Sequence, residues 1–390
     1  MRSIDRPITT LQIGYIIASN GAPMTGSERY YFELIRALID LGFPTRGVVL
    51  GDFAAGDPRM RFVESFASEK VAGRRGRIAS LRRAVRREAP AADVVATHSS
   101  EHAYPVLDLV GRKPLVVHFH GPRALEYAAE GKSRLRVAFA RAGELLVYRR
   151  ASRCIALSRA NADTLRTAYG VPEARIRIVP GAVDTARFHP GGSRDQARAA
   201  LGWPADRPIV VAVRRLAPTK GIEELVDAVA RLRSAVPRVF VALVGAGPLR
   251  ASLEHRVAAL DLEDNIVFTG QLDATLPDAY RAADVSVVPS VALEGFGLSV
   301  IESLACGTPA LVTPVTGLPE VVRDLDPRLV MPDATAAGIA NALERALLSP
   351  HELTAAAACA SYAQRFAWPT IAARVAGVYA EALAERRGPR

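Results

Sequence analysis

Two glutamates flank a glycine-rich turn in the stretch LEGFGLSVIESLACG, which covers residues 293–307. Glu294 precedes the turn and Glu302 follows it, and a carboxylate can accept two hydrogen bonds from neighbouring hydroxyls such as those of a ribose. Gly295 and Gly297 allow backbone amides to approach a phosphate at the positive end of the helix that follows. The pattern predicts a sugar-nucleotide site, although one capping glutamate and one surface glutamate would look the same.

A second candidate feature is basic. The stretch VAVRRLAPTKGIEEL places Arg214, Arg215 and Lys220 around a turn from a strand to a helix. Cations in such a turn can neutralise a diphosphate. Only four of the 50 cationic residues are lysines, namely Lys70, Lys113, Lys132 and Lys220. A compact point charge at this turn is therefore more than a consequence of composition.

Composition indicates a globular protein. The chain has 390 residues, of which 49% are apolar, and no apolar run is long enough to predict a membrane span. The N-terminal apolar stretch alternates like a buried strand and lacks the pattern of a cleaved signal, so we expect a cytoplasmic location. The cysteines are far apart in apolar surroundings and are predicted to be buried thiols: Cys154, Cys306 and Cys359.

The net charge of +10 comes almost entirely from arginine. Its clearest cluster, GRRGRIASLRRAVRRE, places seven arginines between Arg74 and Arg87 on a predicted helix. The simplest interpretation is a solvated helix face, and the alternative is contact with an anionic membrane surface. Nucleic acid is not favoured, because no aromatic residues that could stack on bases are interleaved with the arginines.

The order of the predicted elements indicates an α/β protein with two doubly wound, Rossmann-like domains facing a central cleft, since strands that alternate with helices specify parallel sheets covered on both faces. Ligands of this architecture bind beyond the carboxyl ends of the strands. The predicted domains are 1–187, 188–369, and a terminal helix, 370–390, that returns to the first domain. The predicted strands are LQIGYIIAS, TRGVVLG, ADVVATHS, PLVVHFH, RCIALS and IRIVPG in the first half, and PIVVAVRRL, VFVALVGAG, NIVFTG, VSVVPS, PALVTPV and RLVMP in the second.

The second half resembles the donor-binding domain of retaining glycosyltransferases with the GT-B fold, a family that includes bacterial mannosyl-, glucosyl- and N-acetylglucosaminyltransferases. The resemblance runs in order through RRLAPTKGIEELVDA, LVGAGPLRASLE, NIVFTGQLDATLPDAYRAADVSVVPS and EGFGLSVIESLACGTPALVTPVTGLPEVV. Within it, the E-x7-E spacing of Glu294 and Glu302 is the most specific feature. The first half is similar more loosely, through MTGSERYYFELIRALIDLGF, VVHFHGP and VPGAVDTARFHP.

The resemblance implies a role for each candidate residue. Arg215 and Lys220 would bind the donor diphosphate. Glu294 and the amides of the turn would bind the transferred sugar, and Glu302 would bind the ribose. His120 would lie near the sugar, and Gly26, in the first-domain loop, would close over the diphosphate. The donor-binding set is thus Gly26, Arg215, Lys220, Gly295, Phe296, Gly297 and Glu302, with His120, Glu294, Arg215 and Lys220 as catalytic residues.

The sequence departs from the family pattern at two places. The common Gly-Gly of the first-domain loop is Gly26-Ser27 here, and Gly-Arg-Leu after the second-domain strand is Arg214-Arg215-Leu216. Both departures affect the expected geometry of the loops more than the expected activity.

Three rival signatures carry less weight. HSSEH matches a zinc-peptidase pattern, but His98 is predicted at the end of a strand, off the helical face that this chemistry needs. GAGPLR lacks the third glycine of a dinucleotide fingerprint. The acidic pair of Asp324 and Asp326 resembles a metal-binding pair but is predicted to lie in a turn and stabilise it.

The sequence therefore predicts a retaining transfer of a hexose from a nucleoside diphosphate sugar to a small-molecule, lipid-linked or saccharide hydroxyl, with UDP favoured over GDP and with no cofactor or metal ion. Peripheral contact with the inner face of the membrane is a further expectation. A sugar phosphorylase or a sugar-nucleotide epimerase of the same fold remains an alternative, as does a basic membrane-binding protein without catalysis.

Overall fold

A computed structural model describes residues 7–16, 26–50, 61–65 and 73–387. The chain divides into two compact units. The first comprises Met1–Pro180 and Trp368–Arg390, and the second comprises Gly181–Ala367. Each unit is built on a single parallel sheet.

Within the described residues, the sheet of the first unit has seven strands in the order β3-β2-β1-β4-β5-β6-β7. Its strands are β1 Thr10–Ile16, β2 Thr45–Leu50, β3 Val63–Ser65, β4 Val94–Thr97, β5 Leu115–Phe119, β6 Arg153–Ala156 and β7 Ile176–Ile178. Its helices are α1 Gly26–Asp40, α2 Arg74–Glu88, α3 Ser100–Ala103, α4 Leu107–Val110, α5 Arg123–Ala129, α6 Arg134–Arg150, α7 Arg159–Tyr169 and the C-terminal helix Trp368–Arg387. Every residue of β4, β5 and β6 is buried, as expected for a parallel sheet covered on both faces.

The sheet of the second unit has five strands in the order β10-β9-β8-β11-β12. The strands are β8 Ile209–Val213, β9 Phe240–Val244, β10 Ile266–Gly270, β11 Val285–Val288 and β12 Ala310–Val312. The helices are α8 Arg194–Leu201, α9 Ile222–Leu232, α10 Arg250–Ala259, α11 Leu276–Ala282, α12 Leu298–Ala305, α13 Leu318–Val322, α14 Ala336–Leu348 and α15 Ala356–Ala363, so that the C-terminal helix is α16. A Ser193–Gln196 capping box begins α8.

The boundaries of the units differ from the predicted ones. The segment after Pro180 packs on the second unit: Val183 donates a backbone hydrogen bond to Phe366 (2.9 Å), and Gly181 lies against Phe296. The return to the first unit begins at Trp368, whose ring packs 5.1 Å from that of Tyr30. These contacts assign residues 181–187 to the second unit and residues 368 and 369 to the first, whereas the predicted boundaries followed residues 187 and 369.

One strand prediction was wrong, and one strand was missed. RLVMP forms only an isolated bridge, between Val330 and Val312, and the short edge strand β3 was missed. The expectation for the cysteines is confirmed, since all three are free and buried. Among the described residues, the helices are too short or too polar to span a bilayer.

The turn between β8 and α9 depends on the absence of a side chain at Gly221. This residue has φ +68, and a Cβ atom there would lie 1.8 Å from the carbonyl oxygen of Pro289. Gly202, after α8, has the same left-handed backbone (φ +65), but a Cβ atom would meet nothing within 4 Å. The two glycines separate the cost of backbone strain from the cost of a collision.

We expect Gly202→Ala to lower the free energy of unfolding by about 1 to 2 kcal/mol, the cost of a left-handed conformation for an L-residue. Gly221→Ala should lower it by roughly 3 kcal/mol or more, because the backbone at Pro289 must also move. Urea unfolding of the two variants measures the difference. Equal losses would contradict the close backbone approach.

Candidate functional site

The candidate residues Lys220 and Glu294 of the second unit lie where the strand order of the sheet reverses. Strands β8 and β11 are neighbours although they are far apart in the chain. In open parallel sheets, ligands bind beyond the carboxyl ends of the strands at such a switch point. Lys220 follows β8 and Glu294 follows β11, so the topology places both at this edge of the sheet.

Backbone contacts hold the two loops together. The carbonyl oxygen of Thr219 accepts hydrogen bonds from the amides of Val291 (3.1 Å) and Ala292 (3.4 Å). The close approach of Gly221 to Pro289 lies one residue beyond Lys220. The position of Lys220 is therefore fixed relative to the loop that carries Glu294.

Glu294 is the centre of a buried charge cluster. One carboxylate oxygen, Oε2, accepts hydrogen bonds from the guanidinium of Arg214, from Lys220 Nζ (2.9 Å) and from Ser290 Oγ (3.3 Å). Burial by itself would raise the pKa of Glu294, but the charges of Arg214 and Lys220 outweigh it and lower the pKa to about 2. The carboxylate is therefore ionised at any physiological pH.

Arg214 is itself held by hydroxyl groups. Its guanidinium donates to Ser290 Oγ at 2.6 Å and to Ser299 Oγ at 3.3 Å, and only 9% of the residue is exposed. Its Nε atom is buried and has no hydrogen-bond partner in the part of the chain that the structure describes. The geometry assigns Arg214 to the support of Glu294.

The backbone beside Glu294 is strained. Leu293 and Thr316 are two of the described non-glycine residues with positive φ, at 49° and 45°. The Glu294 amide donates to Thr316 Oγ1 at 3.1 Å, and the Thr316 hydroxyl donates back to the Glu294 carbonyl. A β-branched residue in this conformation is an outlier, and such strain persists where the surroundings hold it.

The glycine turn leads directly into α12. Gly297 has φ +85 at the N-cap, and Phe296 is buried against Phe366 with 5.7 Å between ring centroids. This packing fixes the turn whose amides, from Gly295 onward, were predicted to bind the donor. One helical turn further, Glu302 accepts a hydrogen bond from the buried Tyr280 hydroxyl at 3.0 Å.

The two adjacent arginines have different environments. Arg215, which was predicted to bind the diphosphate, is exposed, whereas Arg214 forms the contact with Glu294. Residues that alternate along an extended backbone point in opposite directions, so only one of the pair can reach the cluster. The sequence predicted Arg214 only as one of three cations at a diphosphate-binding turn, and its contact with Glu294 was not predicted. Nothing in the sequence indicated Tyr280, Ser290 or Thr316.

The first unit brings three histidines together at the ends of β4 and β5. The rings of His98 and His118 stack at 4.2 Å between centroids, and His98 Nδ1 lies 3.1 Å from His120 Nε2. His118 Nε2 lies 2.7 Å from the hydroxyl of Tyr379 on α16, and His98 Nε2 lies 3.1 Å from the side-chain oxygen of Gln12 on β1. The sequence predicted His120 alone as a site residue.

Burial keeps these rings neutral. It lowers the pKa of His98 and His118 well below the ordinary value and lowers that of His120 to about 4. In the HSSEH stretch, His98 precedes α3, as predicted, and the pKa of His102 is also lowered to about 4 by burial. No group of three or more His, Cys, Asp or Glu side chains suited to a metal ion occurs among the described residues.

Gly26 is the first residue of α1 and not part of a loop, so this detail of the prediction was wrong. Of the predicted loop TGSER, Thr25 lies outside the described residues, and residues 26–29 belong to α1. Contact of Gly26 with a diphosphate stays a prediction.

The neutral histidines predict acid sensitivity. Because a histidine in the unfolded chain binds a proton below about pH 6.5 and these buried rings do not, stability should fall as the pH falls from 6.5. Replacing His102 by Gln should make the free energy of unfolding less dependent on pH, by up to about 1.4 kcal/mol per pH unit between pH 6 and 5. Urea unfolding at several pH values measures this slope.

The matched control is His255→Gln, because His255 is exposed on α10. That variant should keep the pH dependence of the unsubstituted protein. An unchanged slope in His102→Gln would show that His102 titrates alike in the folded and unfolded chains.

Sequence comparison finds curated relatives that are named for D-inositol 3-phosphate. The chain is 37% identical over 285 residues to a D-inositol 3-phosphate glycosyltransferase of Streptomyces bingchenggensis, a match covering 70% of this chain and 62% of the relative. It is 36% identical over 255 residues to the enzyme of the same name from Acidothermus cellulolyticus, covering 63% and 56%. The matches thus span about six tenths of the length of these relatives.

Solved structures match nearly the whole chain. Sucrose-phosphate synthase from Thermosynechococcus elongatus has a TM-score of 0.78 at 26% identity and covers 97% of this chain and 100% of that one. Anabaena Alr3699/HepE, in complex with UDP and glucose, has a TM-score of 0.77 at 23% identity, with 95% and 99% covered. The likeness to the second structure shows the fold.

Two family models match the chain in succession. Glycosyltransferase Family 4 matches residues 24–187, and Glycosyl transferases group 1 matches residues 193–366. The two matches divide close to the boundary between the compact units. Together they account for most of both units, and the chain therefore belongs to the group 1 glycosyltransferases with the GT-B fold.

Proposed function

We propose that the protein is a retaining glycosyltransferase that moves a hexose from a nucleoside diphosphate sugar to a hydroxyl acceptor. The single observation that carries the proposal is the cluster of Glu294, Arg214 and Lys220 at the switch point of the second sheet. Fixed positive charge beside a helix N-terminus suits a diphosphate leaving group without a metal ion. HepE, which shares the fold, was solved with UDP and glucose, and this supports UDP over GDP.

In the proposed reaction, the bond between the sugar C1 and the diphosphate oxygen breaks while the acceptor oxygen bonds to C1 on the same face. The acceptor proton passes to the leaving phosphate, so no side chain has to act as a base. Lys220, Arg215 and the amides at the start of α12 stabilise the negative charge that develops on the phosphate. Glu294 and its neighbouring amides hold the sugar.

The remaining residues position the donor. Glu302 binds the ribose hydroxyls with its orientation supported by Tyr280. His120 orients the sugar, and Gly26 approaches the diphosphate. Arg214 keeps Glu294 ionised and in place when Lys220 engages the phosphate, since two cations share one carboxylate.

For the acceptor, we propose a class of hydroxyl compounds and not one molecule. The curated relatives are named for D-inositol 3-phosphate, and a polyol hydroxyl is therefore one candidate beside lipid-linked and saccharide hydroxyls. A sugar phosphorylase or a sugar-nucleotide epimerase would use the same cluster. Release of hexose 1-phosphate in the presence of inorganic phosphate would indicate the first, and conversion of the donor sugar without an acceptor would indicate the second.

Calorimetric titration with UDP and GDP in the presence of a chelator tests the proposal. We expect UDP to bind with micromolar affinity, and Lys220→Ala to weaken UDP binding roughly 10- to 100-fold, the contribution of a hydrogen bond to a charged group. The control is Lys132→Ala, which removes an exposed lysine near Glu130 in the first unit. That variant should bind UDP like the unsubstituted protein.

Two outcomes would contradict the proposal. If neither nucleotide binds without a metal ion, the metal-independent donor site is wrong. If Lys220→Ala binds UDP unchanged while the protein stays folded by circular dichroism, the diphosphate is not bound at this turn.

We propose, second, that the first unit contacts an anionic membrane surface through the helix that carries Arg74–Arg87. Helix α2 has seven arginines and a single glutamate among its fifteen residues. Beside it, α6 exposes Leu135 (85%), Phe139 (56%) and Leu146 (48%), whose spacing places them on one helical face. Apolar side chains flanked by cations are typical of helices that lie in the membrane interface.

Side-chain contacts connect the two helices. Tyr104, itself 42% exposed, packs edge-on against Phe139 at 6.4 Å, and Arg82 of α2 donates to the carbonyl oxygen of Pro105 at 2.6 Å. The basic residues and the apolar face therefore belong to neighbouring parts of one unit. On the opposite side of α6, Glu144 and Val147 are buried.

Co-sedimentation with lipid vesicles tests this surface. We expect binding to vesicles of phosphatidylcholine with phosphatidylglycerol, little binding to phosphatidylcholine alone, and a several-fold loss in a Leu135→Ser, Phe139→Ser variant. The control is Leu348→Ser, which removes a leucine of similar exposure (57%) in the second unit. Equal binding by all variants, or self-association of the protein through this face, would contradict the membrane contact.

A further inference from the structure

A chain of hydrogen bonds crosses the interior of the first unit and ends at His120. It begins at the backbone carbonyl of Phe43, which can only accept. The Thr45 hydroxyl donates to that carbonyl at 3.0 Å. The Thr45 oxygen lies 3.0 Å from the Thr10 hydroxyl, and because the Thr45 proton is already engaged, Thr10 must be the donor in this contact.

The direction of the chain then fixes the side-chain amide of Gln12. With its proton given to Thr45, the Thr10 oxygen accepts a hydrogen bond from Gln12 Nε2 at 3.2 Å. The second hydrogen of the same nitrogen is directed to the Tyr379 hydroxyl at 3.1 Å. The amide oxygen of Gln12 therefore lies 3.1 Å from His98 Nε2 and 3.3 Å from the Tyr379 hydroxyl. An unprotonated His98 Nε2 would oppose its lone pair to those of this oxygen, so Nε2 must be a donor.

The same logic determines both histidine tautomers. A neutral imidazole carries one proton, so His98 places it on Nε2 toward Gln12 and keeps a lone pair on Nδ1. His98 Nδ1 lies 3.1 Å from His120 Nε2 and needs a donor there. His120 must then carry its proton on Nε2 and its lone pair on Nδ1.

We infer that Thr45, Thr10, Gln12 and His98 are positioning residues that lock His120 in the Nε2-protonated tautomer. Any group that binds His120 at Nδ1 must therefore donate a hydrogen, as a sugar hydroxyl does. In this state His120 accepts a hydrogen bond from its ligand and does not donate a proton to the leaving phosphate. The behaviour of His120 toward its ligand and the leaving phosphate rests on the proposed function, whereas the tautomer itself does not.

Burial makes the lock effective. Thr10 and Gln12 are 0% exposed and His98 is 2% exposed, so water does not compete for these groups. In such surroundings an unmatched donor or acceptor is costly, because it loses its hydrogen bonds to water and gains none in return, and this disfavours the opposite tautomer. The low pKa values of His98 and His120 agree with neutral rings.

Nitrogen-15 NMR of histidine-labelled protein at pH 7 tests the tautomer without any substrate. The signals of His120 are assigned by their loss in His120→Asn. We expect a protonated Nε2 and an unprotonated Nδ1. A protonated Nδ1 would overturn the inference, whether or not the protein binds a nucleotide sugar.

Two variants test whether the chain causes the preference. Gln12→Met removes the oriented amide and should allow both tautomers of His120 to be populated. Thr45→Ser keeps the hydroxyl and should leave the tautomer unchanged. If Gln12→Met shows the single original tautomer, the chain is only structural and the inference fails.

A pair of conservative substitutions at His120 tests the use of the lone pair. The amide of Asn lies at the position of Nδ1 and can supply an acceptor there, whereas the longer Gln reaches the position of Nε2. We expect His120→Asn to keep roughly tenfold higher kcat/KM than His120→Gln, the contribution of one hydrogen bond. The reverse order would overturn the acceptor role. The expected tautomer in a protein that binds neither UDP nor GDP would instead refute the proposed function and leave the tautomer established.

Discussion

The second unit depends on the neutralisation of one buried carboxylate. An ionised glutamate without a partner would be too costly to bury, and Glu294 is retained because Arg214 and Lys220 share its charge. The partners come from loops that are distant in the chain and adjacent only because β8 and β11 pair in the sheet. The charge balance of the cluster therefore depends on the strand order of the sheet.

This constraint also explains the backbone around the cluster. Thr316 and Leu293 adopt conformations that their side chains disfavour, and the close approach of Gly221 to Pro289 leaves no room for a Cβ atom. Strain of this kind persists only where the surrounding contacts hold it. Here the contacts are the ion pairs of Glu294 and the hydrogen bonds between the two loops, which together hold the cluster in place.

At the corresponding edge of its sheet, the first unit buries neutral polar side chains instead of charged ones. Each buried donor must therefore meet an acceptor, and each buried acceptor a donor. The hydrogen bonds from Thr45 to His98 do this in one direction, and Tyr379 of the terminal helix joins them at Gln12. The return of the chain to the first unit thus supplies a hydroxyl to the histidine cluster as well as buried apolar side chains such as Ile371 and Val375.

The sequence by itself determined the fold class, because buried parallel strands read as apolar runs separated by amphipathic helices. It also identified Lys220 and Glu294 as candidate site residues, since a rare lysine and a glutamate beside a glycine turn stand out locally. Only the tertiary structure decided which of Arg214 and Arg215 contacts Glu294, because the direction of a side chain after a strand depends on the local backbone path. Gln12 and Tyr379 became visible only in the fold, since a hydrogen bond between residues 367 positions apart leaves no local pattern in the chain.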